Sequence, residues 1–323
     1  MRFLVCGGAG YVGSHALLRL LQLGHEAVVF DNLSTGHRQA VGDCELVVGD
    51  LLDAGAIRKV LAERRFDAVM HFGASSLVED SRRIPVSYYI NNVAGTLNLL
   101  DAMVSVEVSK LVFSSSAAVF GEPIAARIDE AHPCSPINPY GQSKLFVERI
   151  LQDAAVAYGL RSVALRYFNA AGADPSGTIG ESHQPETHLI PNALRSGVGG
   201  VRLRIHGNDY PTEDGTCVRD YVHVNDLADA HLLAAEYLAG NAGAHVFNLG
   251  NDDGFSVMQI VRAASKVTGR QIAYDSAPRR EGDPAMLVAN SQRARKLLGW
   301  RPQWTNVEDI IASAWRWHSA SRY

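Results

Sequence analysis

The chain has 323 residues, of which 47% are hydrophobic and 20% are charged, and its formal net charge is −4. This composition is typical of a globular protein and supplies no basic field that would favour a nucleic-acid partner. No apolar stretch approaches the roughly 20 residues that cross a bilayer, so no membrane partner is expected. The four cysteines are scattered, and the first residues follow a strand pattern, not that of a signal peptide. We therefore predict a cytoplasmic protein with reduced thiols.

The N-terminal segment predicts a strand, a glycine-rich turn and a helix. Apolar residues 3–6 lead into the sequence Gly-Gly-Ala-Gly-Tyr-Val-Gly at 7–13, and a helical pattern follows. The first glycine of the Gly-x-x-Gly-x-x-Gly spacing would permit a tight turn, the second would let the backbone approach a pyrophosphate, and the third would let the helix pack on the sheet. The helix N-terminus would then hold the anion. The predicted cofactor contacts in this segment are Gly7, Gly10, Tyr11, Val12 and Gly13.

An acidic residue ends the second predicted strand, residues 26–30. Asp31 stands 18 positions after Gly13, near the spacing expected for a carboxylate that accepts a hydrogen bond from the adenosine ribose. Such a carboxylate repels a 2′-phosphate, so we predict NAD as the cofactor and not NADP. Asn32, the next residue, is a further predicted contact.

Short apolar strands alternate with helical segments near 53–65 and 86–105. This alternation predicts an α/β fold with a doubly wound parallel, Rossmann-type sheet. Ligands bind across the carboxyl ends of such strands. The residues at these ends that we predict to contact the cofactor are Asp50, Leu51, Phe72, Gly73, Ala74 and Ser114. Among them, Asp50 would accept a hydrogen bond from the adenine amino group.

A Tyr-x-x-x-Lys spacing follows Asn138 and Pro139. Proline favours the first helical position, so Tyr140 and Lys144 would lie one turn apart on one helix face. A phenol has an unperturbed pKa of about 10, and a neighbouring ammonium lowers it. The pair could then accept and return the proton of a substrate hydroxyl, as dehydrogenase chemistry requires. Ser116, at another strand end, would supply a second hydroxyl beside Tyr140.

Three segments of this chain resemble the extended short-chain dehydrogenase/reductases, and among these the UDP-sugar 4-epimerases. The segments are residues 7–15, 113–121 and 139–144, and the similarity continues nearly end to end. Ala118 and Phe120 depart from the family, which usually has Thr and Tyr there. Ser76 stands where some members have a lysine that contacts the cofactor.

The resemblance implies roles for residues that spacing alone does not assign. Ser116, Tyr140 and Lys144 would form the catalytic triad. Tyr140 and Lys144 would also contact NAD, together with Asn91 near the pyrophosphate and Tyr167 against the nicotinamide.

After residue 168 the regular alternation fades and long polar loops appear. We predict an NAD-binding domain at 1–168 and a smaller UDP-sugar-binding lobe at 169–323, with some segments of the lobe returning to the sheet. Loops on a rigid sheet commonly provide specificity, and segments 187–191, 207–224 and 277–283 resemble the substrate-binding loops of the family. The substrate contacts that the resemblance implies are Ser116, Tyr140, Asn169, His188, Leu189, Arg219, Tyr221, Arg280 and Asp283.

The implied roles agree with the chemistry of a UDP-sugar. Arg219 and Arg280 match the arginines that bind the diphosphate, for which guanidinium forks are suited. Asp283 matches a carboxylate that binds the ribose. His206 stands where many members place an aromatic ring against uracil, and Leu287 falls at the position that limits the size of the sugar.

The resemblance implies reversible inversion at C4 of a UDP-hexose, through a 4-keto intermediate and transient hydride transfer to bound NAD. A UDP-N-acetylhexosamine or UDP-pentose 4-epimerase is the enzymatic alternative, and Leu287 favours plain hexoses over N-acetyl sugars. A 4,6-dehydratase would have an acidic pair where this chain has alanines 117 and 118. A nucleotide sensor without catalysis is the non-enzymatic alternative, against which Tyr140 and Lys144 argue.

A homodimer, formed through the helices near 86–105 and 140–158, is implied by resemblance only.

No metal site is predicted from the sequence. The 12 histidines include no His-Glu-x-x-His arrangement. His183 and His188 lie in a predicted loop, where isolated histidines are usually not ligands.

Overall fold

The computed structural model describes residues 1–280 and 282–323. Its helices are α1 (Tyr11–Gln22), α2 (Ala54–Glu63), α3 (Val78–Arg83), α4 (Pro85–Tyr89), α5 (Gly95–Ser105), α6 (Pro139–Tyr158), α7 (Leu189–Gly197), α8 (Val224–Gly240), α9 (Val257–Thr268), α10 (Gln292–Leu297) and α11 (Val307–His318). Short 3₁₀ turns span Arg38–Val41 and Ala117–Val119, and a π-helical turn, Ile90–Ala94, joins α4 to α5. None of the helices in this part of the chain is both long enough and apolar enough to cross a membrane.

The strands are β1 (Arg2–Cys6), β2 (Glu26–Asp31), β3 (Glu45–Val48), β4 (Ala68–His71), β5 (Lys110–Ser116), β6 (Arg161–Tyr167), β7 (Asn169–Ala171), β8 (Leu203–His206), β9 (Val218–Arg219), β10 (Tyr221–His223), β11 (Ala244–Leu249), β12 (Phe255–Ser256), β13 (Tyr274–Ala277) and β14 (Met286–Leu287). Seven of them form one parallel sheet in the order β11-β6-β5-β4-β1-β2-β3. The strand order reverses at β1, next to β4, and this confirms the predicted doubly wound sheet.

Both faces of the sheet are covered, because successive side chains of a strand point to opposite faces. In β1, Phe3 and Val5 belong to one buried cluster, which α1 and α8 cover. Leu4 and Cys6 belong to the other cluster, which includes side chains of α2, α5 and α6. This double burial explains why the strands are apolar along their length instead of alternating.

A smaller lobe packs around a third apolar cluster, to which α7, α9 and α11 contribute. It carries three short sheets: β7 with β10, β8 with β13, and β9 between β12 and β14. Residues 224–249 leave the lobe, since α8 packs on α1 and β11 pairs with β6. The division at residues 168 and 169 therefore separates the two units only in part, and it stays a prediction. Of the predicted substrate segment 277–283, Glu281 lies outside the described residues.

A buried ion pair anchors helix α6. Glu148 and Arg166 have side chains that are 3% and 6% exposed, and the Arg166 guanidinium donates to both carboxylate oxygens, with Nη2 2.5 Å from Oε2. The Ser115 hydroxyl of β5 donates to the same carboxylate at 2.5 Å. The pair thus joins α6 to β5 and β6, one helical turn beyond Lys144.

Removing the charge of Glu148 should destabilise the protein strongly, because Arg166 would stay buried without its counter-charge. We expect Glu148→Gln to lower the free energy of unfolding by about 3–5 kcal/mol in urea titrations. The matched control is Asp101→Ala, which breaks the exposed pair between Arg58 and Asp101 and should cost less than about 1 kcal/mol. Equal losses in the two variants would contradict the anchoring role of the buried pair.

Candidate active site

The glycine turn after β1 is built by close backbone approach. Gly7 has φ +78°, and a Cβ placed on Gly13 would lie 2.1 Å from the Gly7 carbonyl oxygen. Helix α1 begins at Tyr11, and its N-cap Gly10 makes no side-chain capping bond. The N–H groups of a first helical turn have no intrahelical acceptors. This cradle of glycine backbone at a helix N-terminus fits the pyrophosphate of a dinucleotide.

The carboxylate of Asp31 supports the same turn. It is buried at the end of β2, where it accepts hydrogen bonds from the N–H groups of Ala9 at 2.9 Å and Leu33 at 2.8 Å. Each carboxylate oxygen keeps a further lone pair, so the same group can also accept from a ribose hydroxyl. Beside it, the Asn32 amide donates to Asp50 at 2.8 Å. Three predicted positions at two strand ends thus lie in one group with the glycine turn.

The segment after β4 lies against this turn. The N–H groups of Phe72 and Gly73 donate to the Cys6 carbonyl at 2.8 and 3.1 Å. The backbones of Gly73 and Gly7 lie so close that a Cβ on Gly7 would be 2.4 Å from the Gly73 nitrogen. A Cβ on Gly73 would contact Leu51, and Ala74 follows in the same segment.

Sequence reasoning missed a buried amide beside these residues. Asn92 accepts from the Ser75 N–H at 2.8 Å and donates to the Ser75 carbonyl and the Ser143 hydroxyl at 3.0 Å each. It also accepts from the amide of the predicted Asn91 at 3.0 Å. Asn92 therefore ties the segment after β4 to helix α6. The only sequence signal was its place next to Asn91.

Helix α6 begins as predicted, with Pro139 in its first turn. The side chain of the N-cap Asn138 accepts from the Gly141 N–H at 2.8 Å. A Cβ at Gly141 would lie 2.3 Å from the Ala118 carbonyl oxygen, so only glycine lets the helix start this close to the turn after β5. This approach places Tyr140 and Lys144 beside the carboxyl end of β5, which carries Ser114 and Ser116.

Lys144 is buried and connects two of the predicted residues. Its ammonium donates to the Ser114 carbonyl at 2.8 Å and lies 5.7 Å from the centre of the Tyr140 ring. The Ser114 hydroxyl lies 2.5 Å from the Tyr167 hydroxyl. The structure therefore gathers Ser114, Tyr140, Lys144 and Tyr167 at one place, although they come from three different elements.

The charges of this group differ from the sequence prediction. Burial raises the pKa of Tyr140, and the interaction with the Ser116 hydroxyl lowers it by less. Burial lowers the pKa of Lys144 to about 7, although the Glu148 carboxylate acts to raise it. In the ligand-free chain, burial has the larger effect on the phenol pKa, and the lysine, itself desolvated, donates to Ser114.

The departures near Ser116 are accommodated by packing. The Ser116 hydroxyl accepts from the Ala118 N–H at 3.1 Å and caps the turn 117–119. Phe120 is 1% exposed, and its ring centre lies 5.1 Å from the guanidinium carbon of Arg166. A tyrosine hydroxyl at this buried position would need a hydrogen-bond partner, whereas the phenylalanine ring needs none.

The residues predicted to bind the substrate fall into small groups. The Arg219 guanidinium pairs with the Asp283 carboxylate and also donates to the Val218 carbonyl at 2.7 Å. Parallel pairing of β7 with β10 sets Asn169 opposite Tyr221.

The other predicted substrate residues lie in separate places. Arg280 is exposed beyond β13, and Leu189 begins α7. The ring of His188 lies 2.5 Å from a carboxylate oxygen of Glu181, a contact that the sequence did not predict.

Known proteins resemble the chain over its whole length. Residues 3–250 match the NAD dependent epimerase/dehydratase family. The chain is 49% identical to a UDP-glucose 4-epimerase of Halalkalibacterium halodurans, over 98% of this chain and 96% of that one. A crystal structure of UDP-glucose 4-epimerase from Brucella ovis in complex with NAD superposes with a TM-score of 0.95, at 46% identity and 97% coverage of each chain. The structure from Bifidobacterium longum in complex with NAD+ and UDP has a TM-score of 0.94, at 37% identity and 99% coverage of each chain.

The low pKa of Lys144 predicts a pH-dependent stability of the ligand-free protein. Unfolding returns the lysine to an ordinary pKa of about 10.4, so between about pH 7 and pH 10 the unfolded chain binds a proton that the folded chain does not. Stability should therefore rise with pH over this window, relative to Lys144→Met, in urea titrations of both proteins. The exposed Lys59→Met should parallel the wild type. A constant difference between wild type and Lys144→Met would contradict the shifted pKa.

Proposed function

The chain belongs to the NAD dependent epimerase/dehydratase family, and on this premise we propose that it interconverts UDP-glucose and UDP-galactose with bound NAD. The observation that carries the proposal is the group of Ser116, Tyr140 and Lys144 at the same edge of the parallel sheet as the glycine turn. UDP-glucose 4-epimerases that are 46–49% identical to this chain align with nearly all of it, and this similarity supports the choice of reaction. Galactose metabolism is the pathway in which this reaction would serve.

The residues around the first three strand ends would hold the cofactor. The backbone of the glycine turn, with Gly7, Gly10 and Gly13, would bind the pyrophosphate, and Tyr11 and Val12 open the helix that faces it. The remaining proposed contacts are Asp31, Asn32, Asp50, Leu51, Phe72, Gly73, Ala74, Asn91, Ser114, Tyr140, Lys144 and Tyr167. Bound NAD would supply a reversible hydride acceptor at C4 of the sugar.

Tyr140 would move the proton of the substrate. As a phenolate it accepts the proton of the 4-hydroxyl while C4 is oxidised to the ketone, and it returns the proton when the ketone is reduced from the other face. Burial opposes the phenolate, so ionisation requires positive charge close by, which a protonated Lys144 and the oxidised nicotinamide would provide. Ser116 would orient the hydroxyl that reacts.

The second lobe would bind the nucleotide and leave the hexose free to turn. Arg219 and Arg280 would bind the diphosphate, and Asp283 the ribose, with Asn169, His188, Leu189 and Tyr221 as further contacts. Pairing with Asp283 already holds the Arg219 guanidinium in place, which reduces the entropy lost when a phosphate binds. Firm contacts on UDP and few on the sugar let the 4-keto intermediate present either face.

Leu287 supports a plain hexose as the substrate. It packs against the cluster that contains Phe168 and Ala117, the neighbours of Asn169 and Ser116. A leucine at this place leaves less room than a smaller residue would for an N-acetyl group. UDP-N-acetylhexosamine is therefore the less favoured substrate.

We also propose a homodimer, formed by the helices on one side of the sheet. Ile90, Leu97 and Val104 stand seven residues apart on the continuous helical segment and are 49%, 46% and 38% exposed, and Phe146 of α6 is 39% exposed. Such a row of apolar side chains on a helix surface favours contact with another helix.

A cytoplasmic location stays a prediction, which the four cysteines support because all are free.

The reaction is tested by incubating the purified protein with UDP-galactose, without added NAD, and measuring UDP-glucose. We expect conversion by the wild type and a loss of turnover of at least about 100-fold in Tyr140→Phe, because the proton acceptor is removed. UDP binding, measured by calorimetry, should persist. Tyr237→Phe, which lies outside the site, is the matched control.

Conversion that requires added NAD would still establish the reaction, with a cofactor that dissociates. No conversion in either condition would overturn the proposal, and unchanged turnover in Tyr140→Phe would overturn the role of the tyrosine.

The dimer is tested by light scattering of the wild type and of Leu97→Glu. A charge in the apolar row should convert a dimer to a monomer. Val201→Glu, at an 88% exposed apolar residue of the other lobe, should stay dimeric. A monomeric wild type, or a dimeric Leu97→Glu, would refute this interface.

A further inference from the structure

Four potential metal ligands converge in the loop before α7. They are Glu181, His183, Glu186 and His188, and each offers one ligand atom within 4.8 Å of the others. Two imidazoles and two carboxylates form a donor set of the kind that zinc sites use. We call these four side chains the loop quartet.

The spacing of the loop quartet suits a tetrahedral ion. His183 Nδ1 lies 3.2 Å from Glu181 Oε1 and 3.8 Å from Glu186 Oε2. His188 Nδ1 lies 2.5 Å from Glu181 Oε1 and 3.3 Å from Glu186 Oε1. Zn²⁺ holds nitrogen and oxygen ligands at about 2.0–2.2 Å, so the ligand atoms of a tetrahedral site lie roughly 3.4 Å apart. The four measured distances run from 2.5 to 3.8 Å, involve both oxygens of Glu186 and bracket this spacing, and the side chains would shift to place one ligand atom each around the ion.

One oxygen of the loop quartet is buried without a hydrogen-bond partner. Glu186 Oε1 accepts from the N–H groups of Thr187 and His188 at 2.8 and 2.9 Å. The side chain is 0% exposed, and Oε2 has no hydrogen bond within the described residues. A buried carboxylate oxygen left without a partner is costly, and a cation that binds it removes the cost. This oxygen lies 3.8 Å from His183 Nδ1, so it is directed toward the other three ligands.

The backbone around the loop quartet is held by three other elements. The indole of Trp317 donates to the Glu181 carbonyl at 2.8 Å, and the His37 ring lies 3.1 Å from the Ser182 carbonyl oxygen. The rings of His183 and Tyr11 meet edge to face, with centres 6.2 Å apart. The ligand positions are therefore fixed by contacts outside the loop, as a metal site requires.

We propose that the loop quartet binds one Zn²⁺ per chain as a closed structural site. Four protein ligands leave no open position, which separates this site from the chemistry at Tyr140. Without the ion, each imidazole pairs with the carboxylates by carrying one added proton. One Zn²⁺ would replace these two protons, and the net charge of the loop quartet would stay the same. The ion would cross-link residues 181–188 and so hold rigid the loop whose His183 ring packs against Tyr11.

The test is calorimetric titration of untagged, chelator-treated protein with ZnCl₂, together with melting curves. We expect saturable binding of one ion at micromolar Zn²⁺ and a rise in the melting temperature, because the ion binds the folded state. His183→Gln and Glu186→Gln should both lose the binding and the rise. His245→Gln, at a histidine outside the loop, is the matched control. Co²⁺ should give the visible absorption of a tetrahedral complex, and Mg²⁺ should not bind.

Binding that is absent in the wild type would overturn the proposal and leave the loop quartet as an ion-pair network. Binding that persists in both His183→Gln and Glu186→Gln would also overturn it, because the ion would then lie elsewhere. Circular dichroism of the metal-free variants shows whether they fold, so a loss of binding is not confused with unfolding. None of these readouts depends on epimerase activity.

Discussion

The close approach of helix α6 to the turn after β5 is the constraint on which the site depends. A Cβ at Gly141 would collide with the Ala118 carbonyl, so the helix can begin here only with glycine at that position. The approach sets Tyr140 and Lys144 beside Ser114 and Ser116. The buried pair of Glu148 and Arg166 then holds the next turn of the helix against β5 and β6. Backbone contact and buried charge thus fix the positions of Tyr140 and Lys144.

The same burial that positions these side chains also opposes their charges. It raises the pKa of Tyr140 and lowers that of Lys144, so the ligand-free site favours neutral forms of both. In such a site, ionisation of the tyrosine requires positive charge close by. The cofactor of this family, NAD, carries such a charge on its oxidised nicotinamide.

Some of the contacts between the two lobes involve the glycine turn and the elements beside it. The Tyr11 hydroxyl donates to the Gly172 carbonyl at 2.6 Å, and the ring of the same tyrosine meets His183. Near the same loop, the ring of Tyr323 stacks on the ring of His37 with their centres 4.6 Å apart. The loop that begins after β7 therefore rests on the elements proposed to hold the dinucleotide.

The sequence alone determined the parallel sheet, the glycine turn, the helix at Pro139 and the one-turn spacing of Tyr140 and Lys144. These features are local, since apolar periodicity, glycine spacing and helix geometry can be read from a few consecutive residues. Only the tertiary structure decided that Asn92 bridges to Ser143, that Arg219 meets Asp283, and that two loop histidines meet two glutamates. It also decided the direction in which burial moves the pKa values of Tyr140 and Lys144. A pKa and a long-range contact both depend on what the fold removes from water and on residues far apart in the chain, which no local pattern records.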